Sequence, residues 1–226
     1  MYYRKEYKYV IPCEMAYSLE SHLEGIFERD SFSASGEYSV RSLYLDSVNN
    51  TDYYSKLDGL EHRKKYRIRI YNGDSSFCRF EKKEKTGELQ HKAGIRIKAS
   101  EARACCSGDY EFLLDYADGS GFAESAYAEL ISGIYRPRVL IEYKRLAYVY
   151  PAGDIRITID SDIRSCETDL DLFSSDVGYV PEMSGYVVLE VKFSGILPDI
   201  VTECISAYGM EQESYSKYCY GRNLVI

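Results

Sequence analysis

Arg63-Lys64-Lys65-Tyr66-Arg67-Ile68-Arg69-Ile70-Tyr71 is the stretch on which the reading of this chain turns. As a β-strand it alternates side chains between two faces. Arg63, Lys65, Arg67 and Arg69 then share one face, and Tyr66, Ile68 and Ile70 take the other. A half-buried strand ordinarily turns apolar residues inward and scattered charge outward. Here one whole face is cationic, with like charges about 6–7 Å apart in a row. Such a row repels itself unless an anion lies among it. A solvated outer face is the alternative, and this strand alone does not choose between the two.

The pattern continues on both sides. Asn72-Gly73-Asp74 is a hairpin-type turn signal, and the strand predicted over 77–85 sets Arg79, Glu81, Lys83 and Lys85 on one face. A further strand over about 92–98 places Lys92, Arg96 and Lys98 together. Residues 63–98 hold 12 of the 28 Lys and Arg but 4 of the 36 Asp and Glu, so the segment is +8 and the remainder −16. A net charge of −8 argues against a general nucleic-acid binder. An acidic shell around a basic strip implies a localised anion site.

The other elements read as follows. A strand over 2–11 gives way at Pro12 to a helix through about residue 28, with Leu19 and Leu23 at helical spacing. Strands follow at 39–46, 138–150 and 154–160, the last two around Pro151-Ala152-Gly153, and at 186–193. Asn49 or Asn50 caps a short helix through Lys56, a second amphipathic helix spans 122–134, and Pro198 starts another. Residues 100–118 carry no decisive pattern, and 161–185 read as a loop-rich excursion. About eight strands against three or four helices predict an α+β fold, a mainly antiparallel sheet or barrel with peripheral helices. With no interdomain linker, residues 1–226 are expected to form a single domain. The seven cysteines show no CxxC and no disulfide framework. No apolar run approaches membrane-spanning length, so a reduced, cytoplasmic, soluble chain is expected.

Glu-x-Lys recurs in four predicted strands, at Glu6/Lys8, Glu81/Lys83, Glu142/Lys144 and Glu190/Lys192. The last pair lies opposite the apolar face of Val187, Leu189, Val191 and Phe193. Closed on itself, a sheet of such strands turns its charged face into a lumen. A basic lumen with a few carboxylates is costly unless an anion fills it. Polyphosphate with Mg2+ or Mn2+ meets both demands, because Arg and Lys neutralise phosphoryl oxygens and a hard cation takes carboxylate plus phosphate oxygen.

The stretches RKEYKYVIP (4–12), VRSLYLD (40–46), YYSKLDGLEHRKKYRIRIY (53–71), FEKKEK (80–85), IEYKRLAY (141–148), RITID (156–160), VLEVKF (188–193) and SKY (216–218) together resemble the VTC domain. That family is the polyphosphate polymerase branch of the triphosphate tunnel metalloenzymes. The resemblance implies an eight-stranded antiparallel β-barrel, a tunnel in which a divalent-metal-dependent enzyme transfers the γ-phosphoryl of ATP onto inorganic polyphosphate. It implies that Arg67, Arg69, Lys83, Arg145, Lys192 and Lys217 act in catalysis. Lys8, Arg41, Tyr143, Ser216, Lys85 and Arg96 would contact phosphate, and Glu190 would hold Mn2+ or Mg2+. Lys85 stands where the eukaryotic polymerases carry a histidine. The chain has no membrane segment of its own, which leaves room for a membrane-protein partner. Strand alternation sets Arg145 opposite Glu142 and Lys144, so a bulge is expected if all are to face the lumen.

Arg4 stands where the superfamily's leading motif has its first carboxylate, which argues against a hydrolytic triphosphatase. That activity and a non-catalytic polyphosphate- or nucleotide-binding module are the alternatives. His22, His62 and His91 show no triad or ligand spacing, and Gly-rich phosphate loops are absent. Lys64, Lys82 and Lys98 are expected to be solvated charges. Glu6, Glu81 and Glu142 either bind metal or hold a neighbouring cation in place.

Overall fold

Residues 4–87, 89–116, 121–150 and 154–222 are described by a computed structural model. Strand β1 (Arg4–Pro12) ends where Pro12, with φ −58°, begins helix α1 (Cys13–Glu24). Ala16, Leu19 and Leu23 are the buried stripe of α1. Each leucine contributes roughly 1.5–3 kcal/mol by leaving water, and Leu19→Ala would cost about 2–5 kcal/mol. The chain continues through β2 (Glu28–Arg29), β3 (Tyr38–Asp46), α2 (Thr51–Leu57), β4 (His62–Tyr71), β5 (Asp74–Thr86) and β6 (Leu89–Ile97). Then come α3 (Ala99–Cys106), a 3-10 turn (Glu111–Asp115), α4 (Phe122–Ser132), β7 (Arg136–Val149) and β8 (Arg156–Cys166). The last elements are β9 (Val180–Pro181), β10 (Tyr186–Ser194), α5 (Asp199–Ser206) and α6 (Lys217–Gly221).

The strands pair in the order β1-β10-β8-β7-β3-β4-β5-β6, with the two-residue β2 on β7 and β9 on β8. The expected α+β class, eight principal antiparallel strands with helices, is the one that forms. The chain divides into two compact units. The first comprises Met1–Ser39, Tyr143–Arg164 and Pro181–Ser216. Its core sets Leu19, Leu23, Ile157, Ile159, Leu189 and Val191 under α1 and α5. The second comprises Val40–Glu142, Ser165–Val180 and Lys217–Ile226. Its core gathers Leu43, Tyr66, Ile68, Phe80, Leu130 and Leu140.

Several expectations are corrected. Residues 161–166, read as loop, continue β8, with Asp162 at φ 48°; Ile163 is the one large apolar residue among them, too few to mark a strand. Residues 100–118 contain α3 and the 3-10 turn, and α6 was not anticipated. Asn50 is the N-cap residue of α2, but its side chain makes no capping hydrogen bond. Asp46, at the end of β3, accepts the backbone N–H of Asp52 (3.0 Å) and Tyr53 (2.9 Å) instead, while Ser47 Oγ accepts that of Thr51. Asn72 and Gly73 both have positive φ, as the tight turn between β4 and β5 requires. The Pro151-Ala152-Gly153 turn, Tyr2 and Tyr3 of the first predicted strand, and residues 117–118 lie outside the described residues. Among the described residues no helix is long and apolar enough to cross a membrane.

Candidate functional site

In the second unit the register of β4, β5 and β6 aligns four rows of side chains on one face. They are Arg63–Lys85–Gln90, Lys65–Lys83–Lys92, Arg67–Glu81–Gly94 and Arg69–Arg79–Arg96. Cross-strand partners share a face, so nine cations and one carboxylate occupy twelve positions. Glu81 is 1% exposed and central. Its carboxylate takes Arg67 Nε at 2.8 Å, Arg79 Nε at 3.2 Å, Lys92 Nζ at 2.6 Å and Arg69 Nη1 at 3.8 Å. Burial alone would raise its pKa, but Arg67, Arg69 and Lys92 outweigh that and hold it well below the carboxylate range. A buried carboxylate is tolerable only with such partners.

Gly94 faces Glu81, and a Cβ there would come within 2.7 Å of the Phe80 carbonyl oxygen. The glycine is therefore a packing requirement of the row. Tyrosines line the edges of the face. Arg67 Nη1 donates to Tyr44 OH at 3.3 Å, Arg69 Nη1 to Tyr71 OH at 3.2 Å, and Lys65 Nζ lies 5.8 Å from the Tyr218 ring centre. Lys217 is buried at the start of α6. On the opposite face, Glu129 of α4 accepts hydrogen bonds from Lys64, Lys82 (2.6 Å) and Tyr66 OH (3.0 Å). Lys64 and Lys82 are thus paired rather than freely solvated, a correction whose cause is a partner far away in sequence. Lys98 is exposed beside Glu101.

The first unit carries a second charged face. Lys8 stands opposite Glu190, and Glu6 opposite Lys192, on paired β1 and β10. Lys8 Nζ lies 3.3 Å from both Glu6 and Glu190 and donates to the Tyr215 carbonyl at 3.1 Å. Lys192 Nζ donates to Glu190 Oε2 at 2.6 Å. Burial would lower the Lys8 pKa, yet the two carboxylates raise it above its ordinary value. On β7, which follows β8 in the sheet order, Arg145 forms a two-pronged pair with Asp160 of β8, at 2.6 and 2.7 Å, and lies 5.2 Å from the Tyr143 ring centre. Ser216 is buried.

Glu142, in the second unit, accepts a hydrogen bond from Arg41 Nε at 2.6 Å. Arg41 pairs in register with Ile70, opposite the Arg67 and Arg69 face. Its guanidinium also donates to the carbonyls of Leu172 (3.1 Å) and Ser174. The structure thus gathers Arg67, Arg69, Lys83, Lys85 and Arg96 on one face of the second unit, and Lys8, Lys192, Glu190, Tyr143 and Arg145 on one face of the first. Arg41 stands apart from the cationic rows. Sequence reasoning missed the roles of Asp160, Arg79, Lys92 and Gly94; alternation marked the faces, but only register identifies partners.

Among the described residues no group of three or more His, Cys, Asp or Glu could hold a metal ion. Glu6 and Glu190 nevertheless flank a single ammonium at 3.3 Å each. Mg2+ is commonly held by one or two carboxylates with substrate phosphates and water completing its shell. Two carboxylates fit that mode.

The VTC domain family model matches residues 3–226, and the chain belongs to this family. No curated protein matches the sequence. Among solved structures it is similar to a protein from Hippeastrum described as an adenylyl cyclase candidate with a dominant triphosphatase activity. That likeness has 14% identity and a TM-score of 0.56, and covers 98% of this chain and 95% of the other. An adenylate cyclase candidate from Bacillus halodurans has 16% identity and a TM-score of 0.52, with 94% and 95% covered. At such identities the likeness establishes a shared fold.

Proposed function

We propose that this member of the VTC domain family is a polyphosphate polymerase that transfers the γ-phosphoryl of ATP onto the end of an inorganic polyphosphate chain. The observation that carries the reading is the face on which nine cations surround one buried carboxylate. Phosphoryl transfer needs charge neutralisation and in-line positioning more than a nucleophilic side chain. A terminal phosphate oxygen of the acceptor supplies the nucleophile and is already ionised near neutral pH. The bond from that oxygen to the γ-phosphorus forms, the γ-phosphorus–bridging-oxygen bond breaks, and ADP leaves with the electron pair.

In this reading Arg67, Arg69 and Lys83 grip transferring phosphates, and Lys85 and Arg96 extend the grip along the same face. Lys8, Lys192, Arg145, Tyr143 and Ser216 act in the first unit, and Lys217 in the second. Arg41 is not among the phosphate-gripping residues of this reading, because it lies off the cationic rows, in register with Ile70, and binds Glu142 and two carbonyls. Glu190, with Glu6, would hold Mg2+ or Mn2+, which supplies positive charge at the phosphate oxygens when bound. The family match spans both compact units, which supports treating residues 1–226 as one functional domain. Seven free cysteines support a reducing, cytoplasmic setting.

Triphosphate hydrolysis, the activity described for the Hippeastrum protein, is the competing reading. Arg4 weighs against it by standing where the hydrolase motif has a carboxylate. Arg67→Ala and Glu190→Gln test the proposal. Each is expected to lower polyphosphate synthesis at least a hundredfold with an unchanged far-ultraviolet circular dichroism spectrum. Full activity in the double variant would overturn it.

A further inference from the structure

Asp46, at the end of β3, is fully buried, and its carboxylate joins three elements. It accepts the backbone N–H of Ser47 at 2.7 Å and those of Asp52 and Tyr53 at the start of α2. Its Oδ2 also accepts the hydroxyl of Tyr218 on α6. Arg222 Nη1 donates to that hydroxyl at 3.1 Å, so the Tyr218 phenol gives one hydrogen bond to a carboxylate and takes one from a guanidinium. The Tyr218 ring stacks on Tyr44, with centres 5.2 Å apart, and meets Tyr53 edge-on at 6.2 Å.

The helix that carries Tyr218 has five residues, Lys217–Gly221. Isolated helices below about 12–15 residues are marginal in water, so α6 takes its place from such side-chain anchors. Lys217 directly precedes Tyr218 and is buried. Beyond the stacked rings, Tyr44 OH accepts Arg67 Nη1 at 3.3 Å, and Arg67 Nε donates to the buried Glu81. A continuous path of contacts thus runs from Asp46 through two rings to the cationic rows, all within the second unit.

We propose that Asp46 is a positioning residue for phosphoryl transfer, holding Lys217 and Arg67 in reacting geometry through the Tyr218 hydroxyl. The inference rests on the reading that this protein is a polyphosphate polymerase. Asp46 accepts four hydrogen bonds from its own chain and is sealed from solvent, so it acts through Tyr218. Without the hydroxyl the Tyr218 ring keeps its stacking on Tyr44 but loses its tether, and α6 is free to shift. A misplacement of about 1 Å can cost about a hundredfold in rate. Ground-state binding, spread over many cations, changes much less.

Steady-state polyphosphate synthesis from ATP with Mn2+ tests this in Tyr218→Phe, which removes one oxygen and keeps the ring. Its kcat is expected to fall about tenfold, with KM for ATP within about twofold of the native value. Asp46→Asn is expected to fall at least as far, and adding Tyr218→Phe to it is expected to slow it no further. Tyr135→Phe controls for lost stability alone. It deletes the 3.0 Å hydrogen bond from another buried tyrosine, to Asp52, and its kcat is expected to stay within about twofold of native. Native kcat in Tyr218→Phe, a loss confined to KM, or an equal kcat loss in Tyr135→Phe would overturn the inference and leave the polymerase reading intact. Absence of chain growth by the native protein would overturn both.

Discussion

Arg145 and Asp160 meet through two hydrogen bonds of 2.6 and 2.7 Å, and both side chains are buried. The carboxylate fixes the plane of the guanidinium and raises its already high pKa against the cost of burial. Removing one partner of such a pair leaves an unpaired buried charge, at a cost of about 3–5 kcal/mol. Asp160→Ala is expected to lower stability to urea by that amount. The double variant Arg145→Met/Asp160→Leu is expected to recover most of it while remaining inactive. If Asp160→Ala unfolds at the native urea midpoint, the pair contributes nothing to the fold.

Glu81 plays the corresponding part on the larger face, with a single carboxylate serving four cations. Glu81→Gln is expected to cost about 3 kcal/mol, or about 6–12 °C in melting temperature for a chain of this size. Inorganic triphosphate should recover part of the loss by supplying the missing negative charge. A melting temperature equal to that of the native protein would contradict this.

Asp52 offers a pH dependence of known sign. It is 2% exposed; Tyr135 OH donates to Oδ1 at 3.0 Å, and Oδ2 has no hydrogen-bond partner. Burial, reinforced by the nearby Asp46 carboxylate, pushes its pKa up to about 7 from an ordinary 3.8. The folded protein therefore binds more protons than the unfolded chain across that interval. The stability from protonated Asp52 is present below the unfolded value and lost as pH rises through about 7. Asp52→Asn should flatten the melting-temperature profile between pH 4 and pH 8 and stabilise the protein at pH 8. An unaltered profile would show that Asp52 ionises normally.

Arg41 ties Leu172 and Ser174 to the sheet through their carbonyls, and Tyr179 lies 5.9 Å from its guanidinium. Arg41→Ala should raise amide hydrogen exchange across 167–179 at least tenfold, with little change in β4 and β5. Unchanged exchange there would remove the case for an anchoring role.

The sequence was most readable where alternation holds. Period two alone sorted Arg67 from Ile68 and Lys83 from Lys82, and it also set Arg41 among Leu43 and Leu45, where the structure keeps it. What stayed hidden depends on distance along the chain. Glu129 neutralises Lys64 and Lys82 from α4, and Asp46 caps a helix that begins five residues later. Register is equally invisible to periodicity. Alternation places Glu6 and Lys8 on one face, but only the β1-β10 alignment sets them against Lys192 and Glu190. Polar Ser161, Asp162, Arg164 and Ser165 around a lone Ile163 hide the second half of β8.

The polymerase reading is tested most directly by incubating the purified protein with ATP and Mn2+. Products are resolved on a gel stained for polyphosphate, and orthophosphate is assayed in parallel. The expected result is a ladder of long chains that disappears with EDTA and in Arg67→Ala. Release of orthophosphate with no chain growth would contradict the account and assign the protein to triphosphate hydrolysis.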